Sequence, residues 1–350
     1  MKKTLIASAI AAATFSGAAF AQDATLSASE LAARMDSMPT VYGNIQLAFV
    51  HDNYDGGTSD SELADNGSTI GVAHEHEIAP GVTGFFKAEL EFDADQKAGN
   101  GGLNAFDEAY FGVKGDRFGQ VWIGSDDSTY ETAIDEIFNF YEYGTGVGGS
   151  YSTGEGDSIQ YLSPSFAGLT LGAEVQISGA GTAEDANGND VNYGKSYPYQ
   201  LAAMYTAGGL ELAFAMDSND GKTAYSSNDE LDVNNENTYG VRASYNLDNL
   251  RLTASYQTRK DVYDTAGVMA IYTLGSNQFA ASYQNVDSDV ADAQGDVIAL
   301  QALHNLSDNM YVYVEGYFYG GDEVYAYDEN GTSGVTDQRT IGVVGATYYF

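Results

Sequence analysis

The stretch Val82-Thr83-Gly84-Phe85-Phe86-Lys87-Ala88-Glu89-Leu90-Glu91-Phe92 decides the architecture. Val82, Gly84, Phe86, Ala88, Leu90 and Phe92 share one face, while Thr83, Lys87, Glu89 and Glu91 share the other. That is the two-residue period of a strand whose faces meet different surroundings. The same alternation opens at Val41, where Val41, Gly43, Ile45, Leu47 and Phe49 oppose Tyr42, Asn44, Gln46 and Ala48. It predicts sixteen strands, at 41–51, 68–78, 82–92, 105–115, 119–125, 157–163, 169–177, 197–207, 210–217, 238–247, 250–258, 266–274, 278–286, 296–306, 310–319 and 338–350. Strands six and thirteen carry the weakest pattern, the first because it is short and the second because Ala280, Ala281 and Ser282 dilute it. Short connections such as Ala79-Pro80-Gly81, Gly208-Gly209 and Asp248-Asn249 alternate with long polar ones at 52–67, 93–104, 126–156, 178–196, 218–237 and 320–337. Tight turns at one end and long loops at the other describe an up-and-down barrel.

The faces decide the solvent. A soluble barrel would turn its apolar face inward, but about sixteen tilted strands enclose a lumen too wide for side chains to fill. The apolar face must therefore point outward into lipid, and the polar face must line water. The expected fold is all-β: a 16-stranded antiparallel transmembrane barrel with short periplasmic turns and long extracellular loops. The final residues agree, because Val344, Ala346, Tyr348 and Phe350 alternate outward.

Composition narrows the function. Of 350 residues, 50 are Asp or Glu and 14 are Lys or Arg, a formal net charge of -36, which argues against nucleic acid as a partner. The absence of Cys removes disulfides, thiolate zinc sites and Cys nucleophiles. Outside the extreme N-terminus no uncharged apolar run reaches the length of a membrane helix. With 27 Tyr and 16 Phe the chain is too aromatic for acidic disorder.

Residues 1–21 read as a cleaved signal peptide. Lys2 and Lys3 precede an apolar run from Leu5 to Phe15, and Ala19-Phe20-Ala21 forms a small-residue cleavage site. Residues 22–39 form a short N-terminal extension in which Ser27 or Ser29 caps a helix carrying Leu31, Met35 and Met38, stopped by Pro39. This extension is expected to occlude the lumen in part. Residues 40–350 are the barrel domain.

Several segments carry a family likeness: Val41-Tyr42-Gly43, the run from Ser158 to Gly168, Tyr245-Asn246-Leu247, His304-Asn305-Leu306 and Tyr348-Tyr349-Phe350. In this order and spacing the chain resembles the general diffusion porins of Gram-negative bacteria, over residues 40 to 350. The resemblance implies an outer-membrane homotrimer, with the third loop of each barrel folded inward to narrow the pore. It also implies a cluster of Arg opposing that loop. Thr69, Glu108 and Gln160 stand near places where the family often has Arg, a departure that weakens the expected transverse field.

The segment 126–156 matches the constricting loop in position and holds Asp126, Asp127, Glu131, Asp135, Glu136, Glu142 and Glu155, with no base between Arg117 and Lys195. Carboxylates beside a narrow aqueous passage concentrate cations, because low-dielectric walls focus the field. Phe138, Phe140, Tyr141 and Tyr143 are expected to anchor the loop. By strand parity the inward bases are Lys87, Lys114, Arg242, Arg251 and Arg339, outnumbered by inward acids that include Glu89, Glu108, Glu174, Glu211 and Glu315. The expected function is a water-filled, cation-preferring channel for ions and small hydrophilic solutes, needing no cofactor. Expected partners are further copies of the chain, outer-membrane lipid and lipopolysaccharide, with divalent cations near acidic loop residues such as Asp52, Asp55, Asp322 and Glu323.

Three other classes fit less well. A sugar-specific channel would need a continuous aromatic track, and most Tyr fall at outward positions or in loops. An outer-membrane hydrolase would need catalytic His at a rim, and only His51 of the four His lies near the outer one. A calcium-binding solenoid would show a short Gly-Asp repeat, and none is visible. His74 and His76 have a chelating spacing, but they lie on the outward face without further ligands, so no metal site is expected.

Overall fold

The structure is a computed structural model describing residues 38–96, 102–144, 151–177, 181–184, 190–193, 197–220, 236–289, 291–329 and 332–350. The expected signal at 1–21 and residues 22–37 of the extension lie outside the described residues.

The strands are β1 (Thr40–Tyr54), β2 (Ser59–Asp65), β3 (Thr69–Ala79), β4 (Val82–Phe92), β5 (Leu103–Gly115), β6 (Gly119–Ser125), β7 (Ser158–Leu162), β8 (Leu169–Gln176), β9 (Gly181–Glu184) and β10 (Asp190–Tyr193). They continue as β11 (Tyr199–Ala207), β12 (Leu210–Asp217), β13 (Thr238–Leu247), β14 (Leu250–Arg259), β15 (Tyr263–Leu274), β16 (Asn277–Ser288), β17 (Ala293–Ser307), β18 (Met310–Glu329) and β19 (Thr332–Tyr349). Each of the barrel strands, which are β1, β3 to β8 and β11 to β19, pairs antiparallel with its neighbour. Closure comes from β1 against β19, in register from Asn44 opposite Tyr349 to Tyr54 opposite Arg339. Gly43 and Phe350 extend that ladder by exchanging backbone hydrogen bonds of 3.0 Å in both directions. A sixteen-strand closed sheet leaves no barrel edge unpaired in lipid, the condition for a spanning β-structure.

The exterior follows the alternation. Phe111 is 66% exposed and Phe49 is 52% exposed, as expected for side chains that end in lipid rather than in a protein core. At the periplasmic end the turn residues Gly208, Asp248 and Gly275 have φ of 60°, 47° and 59°, the left-handed conformation that lets a two-residue loop match the twist of its strands.

The extracellular side differs from expectation in its loops. Residues 59–65 form β2, which folds back on β1 with Leu47 opposite Asp65 and Asn53 opposite Ser59. Much of 320–337 is also paired strand, from Tyr325 opposite Thr336 to Glu329 opposite Thr332, after an irregularity at Gly320. The Gly, Asp and Glu of these stretches suggest loop chemistry, but cross-strand pairing carries the hairpin beyond the lipid boundary, where polar side chains suit both faces. β16 is twelve residues long, longer than its diluted pattern suggested, because Ala280 and Ser282 seat loop residues on the inside. β7, at five residues from Ser158 to Leu162, is shorter still than the expected 157–163.

Candidate functional site: the constriction of the lumen

The segment between β6 and β7 turns into the barrel and follows the inner wall. It starts as α1 (Thr129–Ile134), whose N-cap Ser128 accepts a hydrogen bond from the backbone N–H of Glu131. Two further N–H groups of the first turn are satisfied by the wall. Thr129 N–H donates to Glu174 at 2.7 Å and Tyr130 N–H to Gln200 at 2.6 Å. Tyr130 and Ile134 pack on Ala202, Ala213 and Ala215. Gly240 makes the seat possible, since a Cβ there would lie 2.5 Å from the Tyr130 hydroxyl.

Beyond the helix the loop is pinned by charge. Glu136 accepts from Arg251 Nε at 2.6 Å and Nη2 at 2.7 Å, from the Thr253 hydroxyl at 2.8 Å, and from Arg242 Nη1. Arg251 also reaches Glu211 at 2.8 Å, and Arg242 Nε donates to the carbonyl of Ala133 at 2.8 Å. Burial disfavours the Glu136 carboxylate, but Arg251, Thr253 and Arg242 outweigh it and hold the group down at about 2. Asp135 is 3% exposed and accepts from Gln257 Nε2 at 2.6 Å. Its burial pushes it up to about 6, against the bonds from Tyr151 and Gln257.

The far end of the loop is latched by a wall carboxylate. Glu315 accepts from the N–H groups of Glu142 and Tyr143 at 2.8 and 3.1 Å, from Gln301 at 2.8 Å and from the Tyr317 hydroxyl at 2.6 Å. Phe140, Tyr141 and Tyr143 pack against the inner faces of β1 and β16 to β19, with the Tyr141 hydroxyl 2.8 Å from Ser282. On the return, Thr153 donates twice to Asp217, at 3.0 and 2.8 Å.

Because the loop packs along the wall from β7 round through β18 and β19 to β1, the passage it leaves faces β3, β4 and β5. On the wall side stand Glu89 and Glu108, with Lys87 in ion pairs to Glu108 and, at 3.8 Å, to Glu89. On the loop side Asp126 is half-buried and Asp127 exposed. Asp127, Glu131 and Glu155 bring carboxylate oxygens within 4.8 Å of one another. Burial first, then Glu108 and Asp127, pushes Asp126 up to about 7. Asp127 and Glu155 are raised as well, first by partial desolvation where the loop crowds the passage and then by neighbouring carboxylates.

The structure therefore divides the residues singled out from sequence. Asp126, Asp127, Glu131, Glu89, Glu108 and Lys87 come together around the passage, whereas Asp135, Glu136, Arg242 and Arg251 meet each other or the wall behind the loop. Lys114 pairs with Glu75. Arg339 pairs with Asp52 at 2.6 Å. Gln200 and Gln257 are anchors that the sequence did not single out. Glu174 and Glu315 were placed inward by parity, but only the path of the loop shows what they hold.

The sequence profile of the Gram-negative porins matches residues 7–324. A monosaccharide porin from Halomonas sp. is 34% identical over 276 residues, which is 73% of this chain and 70% of the relative; a major outer membrane protein of Halomonas elongata matches to the same extent. Among solved structures, an anion-selective porin from Comamonas acidovorans superposes with a TM-score of 0.68 at 18% identity, covering 89% of this chain and 99% of that one. OmpF of Salmonella typhi, solved in complex with daunomycin, gives 0.67 at 22% identity, with 90% and 98% covered. At these identities the two structures share the fold alone. Barrel, inward loop, sequence profile and Halomonas relatives agree: the chain belongs to the Gram-negative porins, channels of the outer membrane rather than enzymes.

Proposed function

We propose that the protein forms a water-filled, cation-preferring channel through which ions and small hydrophilic solutes diffuse passively, and that it works as a homotrimer. The supporting observation is the charge on both banks of the constriction. Glu89 and Glu108 on the wall face Asp126, Asp127, Glu131 and Glu155 on the loop, and Lys87 is the base among them. The two wall arginines that could oppose these acids are engaged by Glu136 and Glu211 behind the loop. A net negative lining in a low-dielectric channel raises local cation concentration and repels anions. The Comamonas porin is described as anion-selective, but at 18% identity its lining does not transfer to this chain.

The trimer is supported by the exterior. Outward tyrosines Tyr161, Tyr199, Tyr205, Tyr239, Tyr245, Tyr256, Tyr272 and Tyr283 belt the sector from β7 to β16, as an aromatic girdle does where lipid ends. From β17 through β19 and β1 to β6 outward tyrosine thins to Tyr348, and phenylalanines such as Phe318, Phe49, Phe106 and Phe111 stand outward instead. There Gly316 lies beside Gly342 on neighbouring strands, leaving a smooth depression suited to close approach of another protomer.

Planar-bilayer recording in a salt gradient tests the reading. Conductance in steps of three with a cation-directed reversal potential is expected. An anion-directed potential would overturn the selectivity, and single-step insertions would overturn the trimer.

A further inference from the structure

We propose that the extracellular side of the lumen carries a subsite for a neutral pyranose sugar, built on Arg339, Asp52, Tyr54, Tyr319 and Tyr325. The proposal deepens the reading of the chain as a channel for hydrophilic solutes and rests on it.

Strand register assembles the group. Tyr54 of β1 lies opposite Arg339 of β19, and Arg339 lies opposite Tyr319 of β18, so three inward side chains form one row across three strands. The row sits above the loop latch, since Tyr319 follows Glu315 and Tyr317 along β18 toward the extracellular hairpin. The Arg339 guanidinium carbon is 4.9 Å from the centre of the Tyr54 ring and 5.8 Å from that of Tyr319. Its Nε and Nη2 donate to the two oxygens of Asp52 at 2.9 and 2.6 Å. Tyr325 closes the group, edge-on to Tyr319 at 5.6 Å.

Two rings and a forked carboxylate hold the guanidinium in one orientation. The fork uses two of its five N–H donors, and the other three have no acceptor among the described residues. The pair is not sealed, because the Arg339 side chain is 30% exposed and that of Asp52 26%. The site thus offers fixed donors, a carboxylate with remaining lone pairs and half-buried aromatic surface side by side.

That combination selects by chemistry. An anion would meet a guanidinium already neutralised by Asp52, in a strongly acidic protein. A cation would compete with Arg339 for Asp52 against the guanidinium's own charge. A pyranose fits both requirements: neighbouring hydroxyls can accept from the guanidinium edge and donate to the carboxylate, while C–H faces of the ring pack on tyrosine. Placed before the constriction, such a subsite would load the passage at low sugar concentration.

The test measures open-channel conductance of the full chain in potassium chloride while D-glucose or mannitol is added at equal osmolality. Glucose is expected to lower the conductance along a saturating curve, whereas the open-chain mannitol should follow bulk conductivity alone. In the double variant Asp52→Asn with Arg339→Gln, the half-saturating glucose concentration should rise about tenfold, as loss of charge-assisted hydrogen bonds implies. Should that variant fail to fold, judged by its heat-modified gel mobility, Tyr325→Leu in the hairpin should still weaken saturation several-fold. Identical behaviour of glucose and mannitol, or unchanged saturation in a folded variant, would overturn the subsite while leaving the channel intact. A wild-type protein that does not conduct would overturn the channel reading itself.

Discussion

Glu315 is the residue on which the shape of the passage turns. It is 3% exposed and accepts two backbone N–H groups from the loop tip. Glu315→Leu keeps the volume but leaves those N–H groups without a partner, at a cost of about 1–3 kcal/mol each. The loop tip should then leave the wall, seen as noisier and altered single-channel conductance with an unchanged barrel in circular dichroism. Glu136 makes a second residue-scale prediction. Its pKa is held down at about 2, so the stability it lends is complete above the ordinary carboxylate range and is lost as pH falls through about 2. At neutral pH, Glu136→Gln strands Arg242 and Arg251 with one carboxylate partner fewer. The thermal midpoint should fall and the reversal potential should move in the anion direction; a shift further toward cations would contradict the pinning role.

The third loop as an element carries a titration. Asp126 sits at about 7, and Asp127 and Glu155 are raised as well. A raised carboxylate is protonated below its pKa, so the constriction gains negative charge as pH rises and loses it as pH falls. Cation preference, read from the reversal potential, should therefore increase between pH 5 and pH 8 with a midpoint near that of Asp126, and Asp126→Asn should flatten the rise. A profile that is flat in the unsubstituted protein would remove Asp126 from the lining. The sequence made the position and acidity of this loop legible, because run length and charge are local properties. It could not assign Asp135 and Glu136 to the wall, since their partners Gln257, Arg242 and Arg251 lie more than a hundred residues away. For strands the opposite holds. Alternation is local, so β4, β12 and β13 were readable to the residue, whereas β2 and the outer parts of β1 and β18 pair outside the lipid, where no solvent contrast marks their faces.

At the scale of the whole molecule, the facing glycines Gly316 and Gly342, in the sector where outward tyrosine thins, predict where the copies of the proposed trimer meet. A Cβ at Gly342 would find nothing within 4 Å inside its own protomer, so Gly342→Trp projects outward without straining the barrel. It should shift the unheated protein from trimer to monomer on a gel, while Ala254→Trp in the tyrosine-belted sector should not. Equal behaviour of the two variants would move the interface elsewhere. The closing seam has a further consequence. β1 must find β19, a partner about 300 residues away in the chain, so its edge is made long before anything exists to cover it. Until β19 pairs with it, that edge presents unpaired N–H and C=O groups that another strand could join. The seam is thus the pairing with the largest loop to close, and a chain cut short of β19 would leave β1 and β18 as two unpaired edges, an open sheet prone to join with other copies.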